Sequence, residues 1–158
     1  AGVMLAKGGL AEGLHATWLP SYGPEMRGGK AYASVILSRR PIGSPVVDHP
    51  NVLLAMNAPS LDAFEQEVRP GGLILVNSSI IERKVARSDV QAHYLPASEI
   101  ASAAGLLGAA NVAMLAAYLK YSGVLRLDTL RDLIPLAVKR QEQVRANLDI
   151  IERALQSE

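Results

Sequence analysis

Between Leu19 and Gly29 the chain reads Leu-Pro-Ser-Tyr-Gly-Pro-Glu-Met-Arg-Gly-Gly. This sets a hydroxyl (Ser21), a phenol (Tyr22), a carboxylate (Glu25) and a guanidinium (Arg27) beside the glycine pair Gly28 and Gly29. The segment has no apolar period that a core could use, and Pro24 with the glycines breaks any helical ladder. Apolar runs, Leu14–Leu19 and Ala31–Leu37, flank it. A polar loop on such a scaffold is where binding chemistry usually sits; an ordinary turn-rich connection is the plainer alternative. Two more stretches place polar groups where a strand should end: Met56 runs into Asn57-Ala58-Pro59-Ser60, and Val76 into Asn77-Ser78-Ser79. In open parallel sheets ligands bind beyond the carboxyl ends of the strands. Hydroxyls, amides and glycine N–H groups there suit a phosphate or a polar substrate group. The same residue types cap helices: for Asn57 to Ser60 capping is the leading reading, and for Asn77 to Ser79 both readings stand.

Other chemistry is scarce. The 158 residues include no cysteine, which excludes disulfides, thiolate catalysis, cysteine-ligated zinc and an iron–sulfur cluster held by this chain alone. His15, His49 and His93 have no companions at ligand spacing, so no metal is expected. His15, at a strand start, reads as a satisfied, partly buried histidine. No Ser/His/Asp or paired-carboxylate constellation is present. A net charge of +1 without blocks of like sign, and an aromatic content of only 4%, argue against nucleic acid and against a polybasic membrane anchor. Lys7, Lys30, Arg39 and Arg40 read as solvated surface. Residues 100–119 carry no charge and have the length of a membrane span. Alanine dominates them, however, and Gly105, Gly108 and Asn111 interrupt them, so they read as a short helix, a turn and a second, buried helix. No secretory signal opens the chain, and the lack of cysteine fits the expected cytoplasmic location.

The elements that must position the polar groups follow from periodicity. Val3, Leu5, Ala6 and Leu10 have helical spacing, weakened at Gly8-Gly9 by about 1 kcal/mol per glycine. Strands are expected at Leu14–Leu19, Ala31–Ser38, Asn51–Asn57, Leu73–Asn77 and Gln91–Leu95. Helices are expected at Pro59–Val68 (Ser60 as cap), Ala97–Ala104 (Ser98 as cap), Asp128–Val138 and Arg140–Leu155. Strand, polar turn, helix, Pro-Gly, strand is the order of one α/β domain, a Rossmann-like open, mostly parallel sheet flanked by helices.

The residues Trp18 to Gly29 closely resemble the signature loop of the gamma subunit, or gamma domain, of 2-oxoacid:ferredoxin oxidoreductases. The resemblance continues through Pro41–Val47, Ala55–Asp62, Pro70–Ser79, Pro96–Ala101 and Asn111–Leu115, with the 2-oxoglutarate and 2-oxoisovalerate branches closest. It implies a complex that oxidatively decarboxylates a 2-oxoacid (pyruvate in other branches) with coenzyme A to an acyl-CoA and reduces ferredoxin. It further implies that thiamine diphosphate and the iron–sulfur clusters belong to partner subunits (alpha, thiamine-binding beta and ferredoxin-like delta). The gamma domain would then be non-catalytic, dock on the catalytic subunits and help bind coenzyme A; isolated, it would tend to self-associate.

The family begins with a strand and Gly-x-Gly-Gly-Gln-Gly. Here only Ala1–Ala6 echoes the end of that pattern, with Ala1 where glutamine is expected, so the 158 residues read as a single gamma domain either lacking its first strand and Gly-rich turn or carrying a degenerate form of that site. Carried onto this chain, the coenzyme A contacts are Gly2, Ser21, Tyr22, Glu25, Arg27, Gly28, Gly29, Asn57, Asn77 and Ser78. Arg27 leads, because a guanidinium fork matches phosphate. Glu25 could instead pair with Arg27, and the whole loop could instead be a subunit-docking element. A stand-alone module for a nucleotide-like ligand and a purely structural subunit are the alternative functions.

Overall fold

A computed structural model describes residues 1–22 and 31–157. The chain opens with α1 (Gly2–Ala11), β1 (His15–Tyr22) and β2 (Ala31–Ser38), then β3 (Val52–Ala55), α2 (Ala58–Phe64), β4 (Leu73–Asn77) and β5 (Gln91–Leu95). It closes with α3 (Ala97–Ala103), α4 (Ala110–Ser122), α5 (Leu127–Ala137) and α6 (Gln141–Gln156). The expected helices and strands are all present, with ends shifted by a few residues.

Strands β3, β4 and β5 form a parallel sheet with β4 in the middle, Ala55 opposite Val76 and Asn77 opposite Leu95. All of β4 is buried, as an unbroken Leu-Ile-Leu-Val run requires. Side chains alternate across it. Leu73 and Leu75 face the larger core with α3, α4, α5 and α6, while Ile74 and Val76 face a smaller one with Leu61, Val68 and Ile81. Residues 100–119 divide as expected: α3 ends before Gly105 (φ +76°), a 3₁₀ turn follows, and α4 is buried on most sides. No helix among the described residues is long and apolar enough to cross a membrane.

The first two strands lie apart from the parallel sheet. β1 and β2 pair antiparallel from His15↔Ser38 to Tyr22↔Ala31, and among the described residues no ladder joins this ribbon to the parallel sheet. The strand also runs past Leu19, so Ser21 and Tyr22 belong to β1 and not to a loop. Pro20 does not stop it, because each strand of a two-stranded ribbon has a free edge where a missing N–H breaks no ladder.

Helix α1 uses the glycines that weaken it. A Cβ at Gly9 would lie 2.5 Å from Leu37 Cδ2, one at Gly2 would lie 2.9 Å from Trp18 Nε1, and one at Gly8 would lie 2.9 Å from Leu125 Cδ1. Gly2 and Gly9, two turns apart, thus seat α1 on the ribbon, and Gly8 lets α5 approach the other side. Glu12, just after α1, pairs with Arg126 at 3.0 Å and fixes the entry to α5.

Candidate functional site

The parallel sheet gathers three of the expected site residues at its carboxyl edge. Asn57 follows β3, Asn77 ends β4 and Ser78 follows it, and the amino ends of α2 and α3 lie there too. Asn57 caps α2: its Oδ1 accepts the Ser60 N–H at 2.9 Å. Ser60 therefore supplies the capped amide rather than the cap expected of it. Asn57 itself is exposed.

Asn77 has no solvent access. Its Oδ1 accepts the Ala97 N–H at 3.1 Å and the Ser79 N–H at 3.3 Å, and its Nδ2 donates to Ser98 Oγ at 3.0 Å. Ser98 is thus an acceptor in this clamp, not the cap of α3; the first amides of α3 are held from β4's exit, by Asn77 and by Ser79 Oγ, which accepts the Glu99 N–H at 3.1 Å. Buried, with its Oδ1 taken by two backbone N–H groups, Asn77 holds the turn that carries Ser78. The Ser78 N–H is tied to the Leu95 carbonyl at 2.9 Å, and the residue is half-buried.

A second group forms where α1 meets the ribbon. Gly2 lies under Trp18 and Ala33, so the lack of a side chain there is taken up by packing. Ala33 is opposite Pro20, one residue from Ser21, and Tyr22 ends the ladder at 79% exposure. Tyr32, opposite Ser21, meets Phe64 edge-on at 4.8 Å. Phe64 ends α2 whereas Asn57 caps its start, so a helix about 10 Å long runs between the Tyr32 contact and the first group. Glu25, Arg27, Gly28 and Gly29, with Lys30, lie outside the described residues. Trp18, Leu19, Tyr22 and Tyr32 leave both faces of the ribbon partly apolar and open, a surface suited to a protein partner.

The histidines form no cluster. His15 is exposed rather than partly buried, His49 Nδ1 lies 3.6 Å from Glu67, and His93 stacks on Tyr121 at 3.8 Å. Among the described residues no set of three or more His, Asp or Glu side chains could hold a metal ion. Lys7, Arg39 and Arg40 are exposed.

One charged cluster escapes the sequence reading altogether. Glu65, 4% exposed, accepts from Arg83 Nη2 at 2.8 Å and from the backbone N–H groups of Ala86 and Arg87. Burial pushes its carboxyl up, but the Arg83 guanidinium and the two N–H donors outweigh burial and hold it below the usual carboxylate range. With its oxygens occupied it is a structural anion, not a base. The signal for it is faint: acids at Asp62 and Glu65 on one helix face, and Arg83 and Arg87 in a segment without periodicity.

The family model described as pyruvate ferredoxin/flavodoxin oxidoreductase matches residues 1–157. The ketoisovalerate oxidoreductase subunit VorA of Methanothermobacter marburgensis is 39% identical over 154 residues, which are 96% of this chain and 32% of the relative. This chain accordingly spans about a third of the length of that relative. The 2-oxoglutarate synthase subunit KorC of Methanocaldococcus jannaschii is 30% identical over 137 residues, 85% of this chain and 73% of the relative. Among solved structures, the gamma subunit of a keto/oxoacid ferredoxin oxidoreductase from Geobacter sulfurreducens superposes with a TM-score of 0.82 at 25% identity, over 98% of this chain and 87% of that one. The chain therefore belongs to the pyruvate ferredoxin/flavodoxin oxidoreductase family.

Proposed function

We propose that this chain is the gamma component of a 2-oxoacid:ferredoxin oxidoreductase, which oxidatively decarboxylates a 2-oxoacid with coenzyme A to an acyl-CoA and reduces ferredoxin. The observation that carries the reading is the family match across residues 1–157. The chain's share is binding and docking. Thiamine diphosphate in a partner subunit would supply the decarboxylation, and iron–sulfur clusters in partners the electron path. The absence of cysteine is consistent with that division. Coenzyme A would be met at the ribbon end by Ser21 and Tyr22 and by Arg27, with Glu25 orienting Arg27 and Gly28-Gly29 allowing backbone approach. Ser78 and Asn57 would line the second group, held in place by Asn77. The open apolar ribbon faces favour docking on the thiamine-binding and cluster-binding subunits over a stand-alone binding module. The expected location is the cytoplasm.

The test is Arg27→Ala in the assembled complex. A lost guanidinium–phosphate contact should raise the apparent KM for coenzyme A about tenfold and leave that for the oxoacid nearly unchanged. Equal effects on both, or loss of assembly, would refute the phosphate role and leave docking as the function of the loop.

A further inference from the structure

Residues 78–90 join the parallel neighbours β4 and β5, and no helix forms in this crossover, although such connections usually contain one. The segment nonetheless covers an apolar face: Ile81 is 2% exposed, and Val85 packs against the cluster of Ile74 and Val76. Hydrogen bonds hold it there: the densest set goes to the turn Glu65–Val68, while Arg83 also reaches Asp62, the Val85 N–H donates to the Tyr94 hydroxyl and the Asp89 carbonyl accepts from the Gly71 N–H. The buried Glu65 carboxylate takes Arg83 Nη2 and the Ala86 and Arg87 N–H groups. Arg87 in return donates to the carbonyls of Glu65 and Val68. Deleting this carboxylate would orphan a guanidinium donor and two backbone donors together, in a stretch with no ladder of its own to fall back on. The larger core, built on Met114, Leu115, Ile150 and Ile151, contains no residue of the segment.

We propose that residues 82–90 are a strap latched by Glu65, and that the strap opens as a unit while the helical side of the domain stays folded. Local opening of contiguous units below the global unfolding energy is a general property of folded chains; the geometry assigns one such unit and its fastening. Trypsin reads it directly, because Arg83, Lys84 and Arg87 lie in the strap. In native digests of the purified protein, fragments beginning at Val85 or Ser88 should appear roughly tenfold to a hundredfold faster in Glu65→Ala than in wild type, with the far-UV circular dichroism unchanged. An unchanged rate, or strap cleavage only alongside cleavage after Lys120 in α4, overturns the proposal. If Glu65→Ala does not fold, hydrogen exchange in the wild type decides. Ala86 and Arg87 amides that exchange together and faster than the α4 amides support the latch; exchange at the α4 rate overturns it.

Discussion

Replacing Asn77 by leucine keeps the volume of the side chain and removes its amide from a position that solvent does not reach. Three hydrogen bonds go with it. The Ala97 N–H, on a fully buried residue, loses its acceptor, the Ser79 N–H loses a second, and Ser98 Oγ loses its donor. An orphaned buried donor costs about 1–3 kcal/mol. Ala97 bears that cost in full, whereas half-buried Ser79 and Ser98 recover part of theirs from water, so the sum is about 3 kcal/mol. Against a typical stability of roughly 5–15 kcal/mol this is a large loss, and for a chain of this length it lowers Tm by roughly 6–12 °C. Ser98→Ala is the control. It removes one bond and leaves both backbone donors satisfied, at about 1 kcal/mol. Thermal unfolding of both variants, followed by circular dichroism, compares them. If Asn77→Leu melts no lower than Ser98→Ala, the amide is not clamping α3 to β4, and the positioning role read for Asn77 is wrong.

Two further outcomes are expected. Gly9→Val adds a branched side chain where a Cβ alone would sit 2.5 Å from Leu37 Cδ2, and should cost about 1–3 kcal/mol by overpacking; Gly43→Val, with nothing within 4 Å, should be near neutral. Equal urea midpoints for the two would show that α1 does not need its glycine face. The second concerns acid. The Glu65 carboxyl titrates below its ordinary value of 4.5 in the folded chain, so its contribution to stability is fully present above that pH and lost as pH falls through the lower folded value. The gap in urea midpoint between wild type and Glu65→Gln should therefore hold at neutral pH and close in acid. A gap independent of pH would mean that Glu65 is not ionised in the folded state.

The parts of the fold legible in the sequence are those in which one physical demand acts alone. Leu73–Asn77 is an unbroken aliphatic run between Pro-Gly-Gly and a polar turn, and a strand buried on both faces is what such a run can become. Gly105 and Gly108 divide an uncharged stretch, and the chain turns there. Legibility fails where two demands compete. Pro20 reads as the end of β1 because proline removes a donor, but the donor is dispensable on a free edge, so the strand continues to Tyr22. Ser60 and Ser98 look like caps because serine accepts hydrogen bonds, yet α2 begins at Ala58 under Asn57 and α3 begins at Ala97, so both serines lie inside their helices, past the capping position. Glu65 and Arg83 are 18 positions apart with no periodicity to link them, so only the fold reveals the pair.

The amino-terminal glycines carry the same competition into function. By resemblance Gly2 belongs to a phosphate cradle, where the missing side chain makes room for a ligand. In the folded chain a Cβ at Gly2 would meet the Trp18 indole at 2.9 Å, so packing alone already calls for glycine there. The amino end of α1 packs on Trp18 and Ala33 of the ribbon. Packing glycines at Gly2 and Gly9 bring the helix amino end to the edge of the Trp18–Tyr22 half of β1, the half from which the Glu25–Gly29 segment departs. A glycine can in this way be necessary to a site through packing alone. On the proposed coenzyme A reading, a substitution at Gly2 would test the seating of α1, whereas substitutions at Arg27, Ser21 and Tyr22 would test the proposed contacts themselves.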